Sequence, residues 1–265
     1  MTDNFQFTPG TTPVLISVPH AGTAIPPAIA ARMTPEALAL PDTDWHVEKL
    51  YDFAREIGAG LIAADHSRYV VDLNRDPSGK PLYPGADNSE FVPLTTFAEQ
   101  SIYRPHQQPD SAEIAERRIA YWQPYHDRLA AELARLKSTF GIAVLWDGHS
   151  ILSHVPRFFD GRLPDLNLGS AKGASAAPEL VAQVMGILGK ADGFSSILNG
   201  RFTGGYITRH YGRPGDGIHA LQLEMAEAAY LDEREPSRYD PAHAARLKSL
   251  LRETIETVTA WAVAR

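Results

Sequence analysis

Five short polar clusters in this chain carry side chains that can bind a cation or move a proton. They are Pro19-His20-Ala21-Gly22, Asp42-Thr43-Asp44, Asp72-Leu73-Asn74-Arg75, Asp147-Gly148-His149-Ser150 and Glu224. Two histidines and a carboxylate from separate elements are the usual protein ligands of a catalytic zinc, with one position open for water. Such a metal lowers the pKa of that water towards neutrality, and a nearby carboxylate removes its proton. Glu224 suits the second role, because a strand buried on both sides rarely ends in a glutamate without a partner. Each cluster also has an ordinary reading. Asp-x-Asp before a helix caps it and complements its dipole. Asn-Arg in a turn makes a surface ion pair and an Asx turn. A lone histidine after a strand is more often a satisfied loop or core residue. Joint placement at strand ends, where open α/β sheets gather ligands, favours the chemical reading. His46, His66, His106 and His126 have no second ligand at metal spacing and are assigned to structure. No HExxH, GxSxG or Walker pattern occurs, so zincin, serine hydrolase and P-loop readings lose their main support.

The elements that must position these groups follow from hydrophobic period. PVLISV at 13–18 reads as a short buried strand. Residues 43–57 read as a helix, with Thr43 or Asp44 as cap, Val47, Leu50, Tyr51, Ala54 and Ile57 at helical spacing, and Gly58 and Gly60 as its stop. GLIAAD and SRYVVDL read as two strands or one strand and its continuation. Residues 77–110 hold six prolines and no clear period, which predicts a long irregular excursion able to cover a site. Residues 111–138 give the clearest helix, with Ser111 as cap and a kink at Pro124. IAVLWDGH is a buried strand with a polar tip, 151–177 irregular, 178–191 a helix, FSSILN and GIHALQLEM strands, and 241–263 a terminal helix. This alternation predicts one α/β domain over residues 1–265, a three-layer αβα sandwich around a mixed sheet.

Composition narrows the function classes. The 265 residues include no cysteine, which excludes disulfides, cysteine-ligated zinc and a cysteine nucleophile. Hydrophobic residues make up 44% and charged residues 22%, the balance of a chain with a proper core. A chain of this length buries roughly three quarters of its unfolded surface, so no metal is needed merely to hold it together. Twenty-five basic against thirty-two acidic residues leave a net charge of −7, no footprint for nucleic acid or an anionic membrane. No apolar run approaches a membrane span, and MTDNFQFTPG has neither the basic nor the apolar region of a secretory signal. The expectation is a soluble cytoplasmic protein, a monomer or small homo-oligomer.

SVPHAG, PDTDWHVEKLYDF, SRYVVDLNRDP, LWDGHSI, DLNLG, GGYITRHYG and ALQLEMAEAAYLDE, in that order from about residue 13 to residue 235, together resemble the N-formylglutamate amidohydrolases (N-formylglutamate deformylases). The resemblance implies a fold of the zinc-carboxypeptidase and phosphorylase/hydrolase-like kind. It implies hydrolysis of N-formyl-L-glutamate to L-glutamate and formate, a last step of histidine degradation. Asp72-Leu73-Asn74-Arg75 also resembles the DLNR segment of aspartoacylases and succinylglutamate desuccinylases, whose Asn-Arg pair holds substrate. Those enzymes take two ligands from an HxxE stretch, whereas Thr23 stands three residues after His20 here. Cell-wall zinc amidases are similar in another way, with a histidine, an acidic ligand, a second histidine and a late glutamate base in the order of His20, Asp44, His149 and Glu224.

These resemblances imply one divalent metal, zinc, on His20, Asp44 and His149, with Asp42 and Glu48 as alternatives for the acidic ligand. Glu224 would be general base and then acid. Arg75 or a loop donor would face the developing oxyanion. The two carboxylates of the substrate call for two cations, Arg75 and Arg209, with Arg201 and Arg213 behind them. Asn74, Asn167, Gly205 and His210 are the further substrate contacts, with Gly169 beside Asn167. The rivals are a metal amidohydrolase acting on another N-acyl amino acid or peptide, and a non-catalytic carboxylate-binding protein.

Overall fold

Two strands explain most of the architecture. Along Ala143–Ile151, Val144 and Trp146 point into one apolar cluster while Ala143 and Leu145 point into another. Along Ile218–Ala226, Leu221, Leu223 and Met225 join the first cluster, and Ile218 and Ala220 the second. A period of two with both faces apolar requires a cover on each side. The computed structural model, which describes residues 4–82, 85 and 87–265, supplies both covers. Residues 1–3 and Pro84 of the proline-rich segment lie outside the described residues.

The strands are β1 (Phe5–Thr8), β2 (Val14–Val18), β3 (Gly60–Ala64), β4 (Ala143–Ile151), β5 (Leu166–Gly169), β6 (Ser196–Leu198) and β7 (Ile218–Ala226). They form one mixed sheet in the order β1-β3-β2-β4-β7-β5-β6. The helices are α1 (Pro27–Ala30), α2 (Pro35–Leu38), α3 (Val47–Leu50), α4 (Ser111–Arg117), α5 (Gln123–Phe140), α6 (Pro178–Leu188), α7 (Tyr206–Tyr211) and α8 (Pro241–Val263). Leu129, Leu133 and Leu136 of α5 cover one face, packed with Leu15, Leu145 and Ala220. Val184 and Leu188 of α6 and Leu247, Leu251 and Val258 of α8 cover the other. The result is the expected three-layer αβα arrangement. No helix of the described residues is long and apolar enough to cross a membrane.

The chain leaves β2 towards β3 on one side, while β4 joins β2 on the other, so a crevice opens at the carboxyl ends of β2 and β4. Open α/β sheets bind ligands at such switch points. His20 and His149 both lie there.

Several elements depart from the periodicity. Residues 43–57 are two single turns, α3 and a 3₁₀ turn at Asp52–Arg55, in place of one helix. His46 is left-handed, with φ 63°, and neither Thr43 nor Asp44 caps α3. The reason is tertiary. The Tyr51 ring lies against Gly148, where an added Cβ would sit 2.6 Å from its Cε2, and its hydroxyl accepts Trp146 Nε1–H at 2.8 Å. SRYVVDL is not a strand either, because β3 is already paired by β1 and β2 and offers no free edge. Arg117 instead donates to the Tyr69 and Val70 carbonyls. Strand β1 and, inside 151–177, strand β5 are each four residues long, too short to show a period. The long helix begins at Ser111 but is capped by Asp110 rather than Ser111, since the Asp110 carboxylate accepts Glu113 N–H. Its irregularity is a π turn at Arg118–Trp122 just ahead of Pro124. Pro124 cannot donate to the Ala120 carbonyl, and Asn4 Nδ2 takes it at 2.5 Å.

Candidate metal centre and active site

The apolar stripe on one face of the sheet turns polar as it approaches the crevice. On β4, Ala143 and Leu145 give way to Asp147 and His149; on β7, Ile218 and Ala220 give way to Gln222 and Glu224. The parallel register sets Asp147 beside Gln222 and His149 beside Glu224. Asp44 is brought in by its backbone, whose N–H donates to the His20 carbonyl at 3.1 Å. All of these side chains are buried.

His20, Asp44 and His149 offer ligand atoms that all lie within 4.8 Å of one another. Asp44 Oδ2 is 3.1 Å from His149 Nδ1 and 3.8 Å from His20 Nδ1. The far nitrogens are engaged by carboxylates: His20 Nε2 with Asp72 Oδ1 at 2.8 Å and His149 Nε2 with Asp147 Oδ2 at 3.0 Å. Metal-binding histidines characteristically donate their second N–H to a carboxylate, which fixes ring and tautomer. Two imidazoles and one carboxylate so supported fit a zinc ion or a similar divalent cation. Of the three acidic candidates, Asp44 meets both histidines. Asp42 accepts from the Tyr69 hydroxyl and Phe97 N–H, and Glu48 lies outside the group.

Burial and charged neighbours shift each of these groups. Burial works against the Asp44 charge, but Arg68 and the two histidines outweigh it and hold the carboxyl below its usual range. Burial likewise opposes a charged His149, and Asp147 and Asp44 override it, holding the ring well above the usual imidazole range. His20 moves down, through burial and the neighbouring Arg68. Burial pushes the Glu224 carboxyl up to about 7, with Asp44 and Asp147 adding to the rise against His149 and Arg68. A carboxyl poised there can take and return a proton near neutrality.

The cleft is lined by His20, Arg68, Asn74, Arg75, His149, Gly205, Gln222 and Glu224, together with the apolar Leu82, Phe97, Phe158 and Phe202. Leu82 and Phe97 come from the irregular excursion, which therefore walls the site. Gly205 must be glycine, since a Cβ would fall 2.2 Å from Asn74 Nδ2. Arg75 donates to the Ser89 carbonyl and hydroxyl and to the Asn74 carbonyl.

Other expected contacts stand elsewhere. Asn167 reaches the backbone carbonyls of Pro164 and Glu224, so it holds the base strand rather than lining the cleft. Arg209 donates to the carbonyls of Gly204 and Leu82 and to Thr203 Oγ1, on a neighbouring cavity with Lys172 and Arg201. His210 lines a third cavity beside Asp76 and Tyr206. Sequence reasoning passed over Arg68, whose Nη2 lies 2.5 Å from both His20 Nδ1 and Asp44 Oδ1. Its only sequence signal is an arginine four residues ahead of Asp72.

A model of the N-formylglutamate amidohydrolase family matches residues 12–231. The chain belongs to the N-formylglutamate amidohydrolase family. It is 49% identical over 261 residues to an N-formylglutamate deformylase of Pseudomonas aeruginosa, covering 98% of both chains. A Pseudomonas putida protein of the same name is 46% identical over 260 residues, 98% of this chain and 97% of the other. The crystal structure of an N-formylglutamate amidohydrolase from Ralstonia eutropha shares the fold, with a TM-score of 0.82 at 23% identity over 98% of each chain.

His126 supports the amidohydrolase cleft from behind. Its Nε2–H donates to the Leu73 carbonyl at 2.8 Å, between Asp72 and Asn74, and its ring stacks on Trp122. Burial drives its pKa down to about 3. The unfolded chain, with an ordinary imidazole, binds this proton first, so stability falls as pH drops from about 6.5 towards 3, by about 1.4 kcal/mol per unit at most. A His126→Gln variant lacks that loss. It is expected to be less stable than wild type at pH 7, with the gap narrowing at pH 5 in urea titrations. A gap independent of pH would contradict a neutral buried imidazole.

Proposed function

We propose that this chain hydrolyses N-formyl-L-glutamate to L-glutamate and formate, using one divalent cation held by His20, Asp44 and His149. Two imidazoles and one carboxylate favour zinc among divalent ions. When bound, such an ion acidifies water towards neutrality and polarises a carbonyl. The observation that carries the reading is the juxtaposition, in one buried cleft, of the His-Asp-His group with Glu224 on the adjoining strand. The relatives from the two Pseudomonas species support the substrate through their names.

The remaining steps belong to side chains. Glu224 accepts a proton from the attacking water as oxygen adds to the formyl carbon. It returns that proton to the amide nitrogen as the C–N bond breaks, releasing formate and the amine. The Arg68 guanidinium, beside His20 and Asp44, stabilises negative charge on the formyl oxygen. Arg75, with Asn74, receives a substrate carboxylate through its fork of donors. A small molecule is thus the partner, and the cytoplasm the place of action, with the chain working as a monomer or small homo-oligomer.

The test is formate release from N-formyl-L-glutamate beside N-acetyl- and N-succinyl-L-glutamate and N-formyl-L-leucine. Wild type is expected to prefer N-formyl-L-glutamate. Arg75→Ala is expected to lose about tenfold or more in kcat/KM on the glutamate substrate and less on the leucine one. Equal losses on both would mean that Arg75 reads no side-chain-dependent charge, and faster acetyl or succinyl release would replace the substrate.

A further inference from the structure

We infer that Gln222 is the residue that positions the general base, by donating its amide N–H to the Glu224 carboxylate. The inference rests on the reading of Glu224 given above and names the device that aims it. Gln222 is buried, two residues before Glu224 on the same face of β7. Its amide orientation is settled by a neighbour: Gly205 N–H donates to Gln222 Oε1 at 2.7 Å, so Nε2 is the end that faces Glu224 Oε2, at 3.2 Å. Asn74 Nδ2 makes a second, longer approach to Oε1 at 3.4 Å. The Asn74 amide is itself oriented, because Ile207 N–H donates to its Oδ1 at 2.8 Å.

The close chain of donors therefore runs from Gly205 N–H, just ahead of α7, through Gln222 to one oxygen of Glu224, while Asn74 Nδ2 lies nearer His149 Nε2, at 3.0 Å, than Gln222. Each donor polarises the next in a buried setting. A glutamate side chain has three rotatable bonds, and at this strand end it also faces the carboxylates of Asp44 and Asp147, which raise its energy when charged. A fixed donor on Oε2 selects one rotamer and leaves Oε1 for the proton in flight. Misplacement of a reacting group by about 1 Å can cost about a hundredfold in rate. Gln222 makes no hydrogen bond to the His-Asp-His group; it meets Glu224 through its amide nitrogen, and through its carbonyl oxygen it holds Gly205 N–H.

Two variants separate this from a merely structural role. Gln222→Glu keeps an acceptor for Gly205 N–H and Asn74 and replaces the amide donor aimed at Glu224 with a second carboxyl that competes with it for one proton, which also moves the kcat–pH profile. Gln222→Met removes both at similar volume. Metal content, thermal midpoint, kcat and KM are measured for each, and again in a Glu224→Gln background. Gln222→Glu is expected to lose about tenfold or more in kcat with KM within about twofold and metal content unchanged. Gln222→Met is expected to lose kcat and raise KM as well, because the Gly205 turn is released. In the Glu224→Gln background, Gln222→Glu is expected to add little, since the group it aims is already disabled. Wild-type kcat in Gln222→Glu, or a full additional loss in the double variant, overturns the positioning role while leaving Glu224 as base. Wild-type turnover in Glu224→Gln alone overturns the reading of the base, and this inference with it.

Discussion

Glu224→Gln is expected to lower kcat for formate release by on the order of 10²-fold or more, with metal content and thermal midpoint unchanged. The expectation follows from what the substitution spares. An amide fills the same volume, and its carbonyl oxygen can still accept the Gln222 amide N–H that now reaches Glu224 Oε2 at 3.2 Å. The β4–β7 register that holds position 224 beside His149 is a backbone property and survives. What disappears is basicity. Burial places the native carboxyl at about 7, so near neutrality it is both ionised often enough to accept a proton and acidic enough to give it back. An amide does neither. A hundredfold loss corresponds to about 2.7 kcal/mol of transition-state free energy, ordinary for removal of a positioned base. Metal analysis with steady-state assays decides the matter, and unchanged turnover would remove Glu224 from the mechanism.

The sequence displays the groups of this centre more openly than the geometry that unites them. Buried strands announce themselves by apolar runs, and β2, β4 and β7 carry polar residues at the ends where His20, His149 and Glu224 stand. Those residues are visible because charge at the end of a buried strand demands a partner. Asp44 is visible only as one acid among three. Its selection depends on the 42–51 segment folding as single turns, which Tyr51 imposes by packing across β4 on Gly148. That contact spans 97 positions, beyond any local period. Arg68 and Gln222 are hidden for the same reason. Their neighbours along the chain give only weak signals, and the contacts that orient them come largely from other elements. Arg209, which the sequence offers as a second cation for the substrate, donates to the carbonyls of Gly204 and Leu82 and lines a cavity that shares Leu82 with the cleft, an orientation no local motif announces.

His149→Ala is expected to lose bound metal and activity together, and to bring metal content well below one ion per chain. Three features concentrate the effect on this residue. Its Nδ1 faces Asp44 Oδ2 at 3.1 Å, its Nε2 faces Asp147 Oδ2 at 3.0 Å, and its ring centroid lies 4.8 Å from that of His20. Removing it takes away a donor to the ion and leaves two buried carboxylates short of a partner. Breaking a buried pair in this way typically costs about 3–5 kcal/mol, so a lower thermal midpoint accompanies the loss. Instability alone could also lower activity, and the comparison with His126→Gln separates the two causes. That variant likewise removes a buried imidazole with two hydrogen-bond partners, but those partners are Leu73 O and Tyr211 Oη rather than a ligand set. It should therefore lose stability while retaining its metal. A chelator applied to wild type should reproduce the activity loss of His149→Ala, and zinc should restore the chelated wild type but not the variant at equal concentration. A fully metallated His149→Ala would dissolve the ligand set. Full activity in metal-free wild type would dissolve the need for the ion, while leaving Glu224 to be judged by its own substitution.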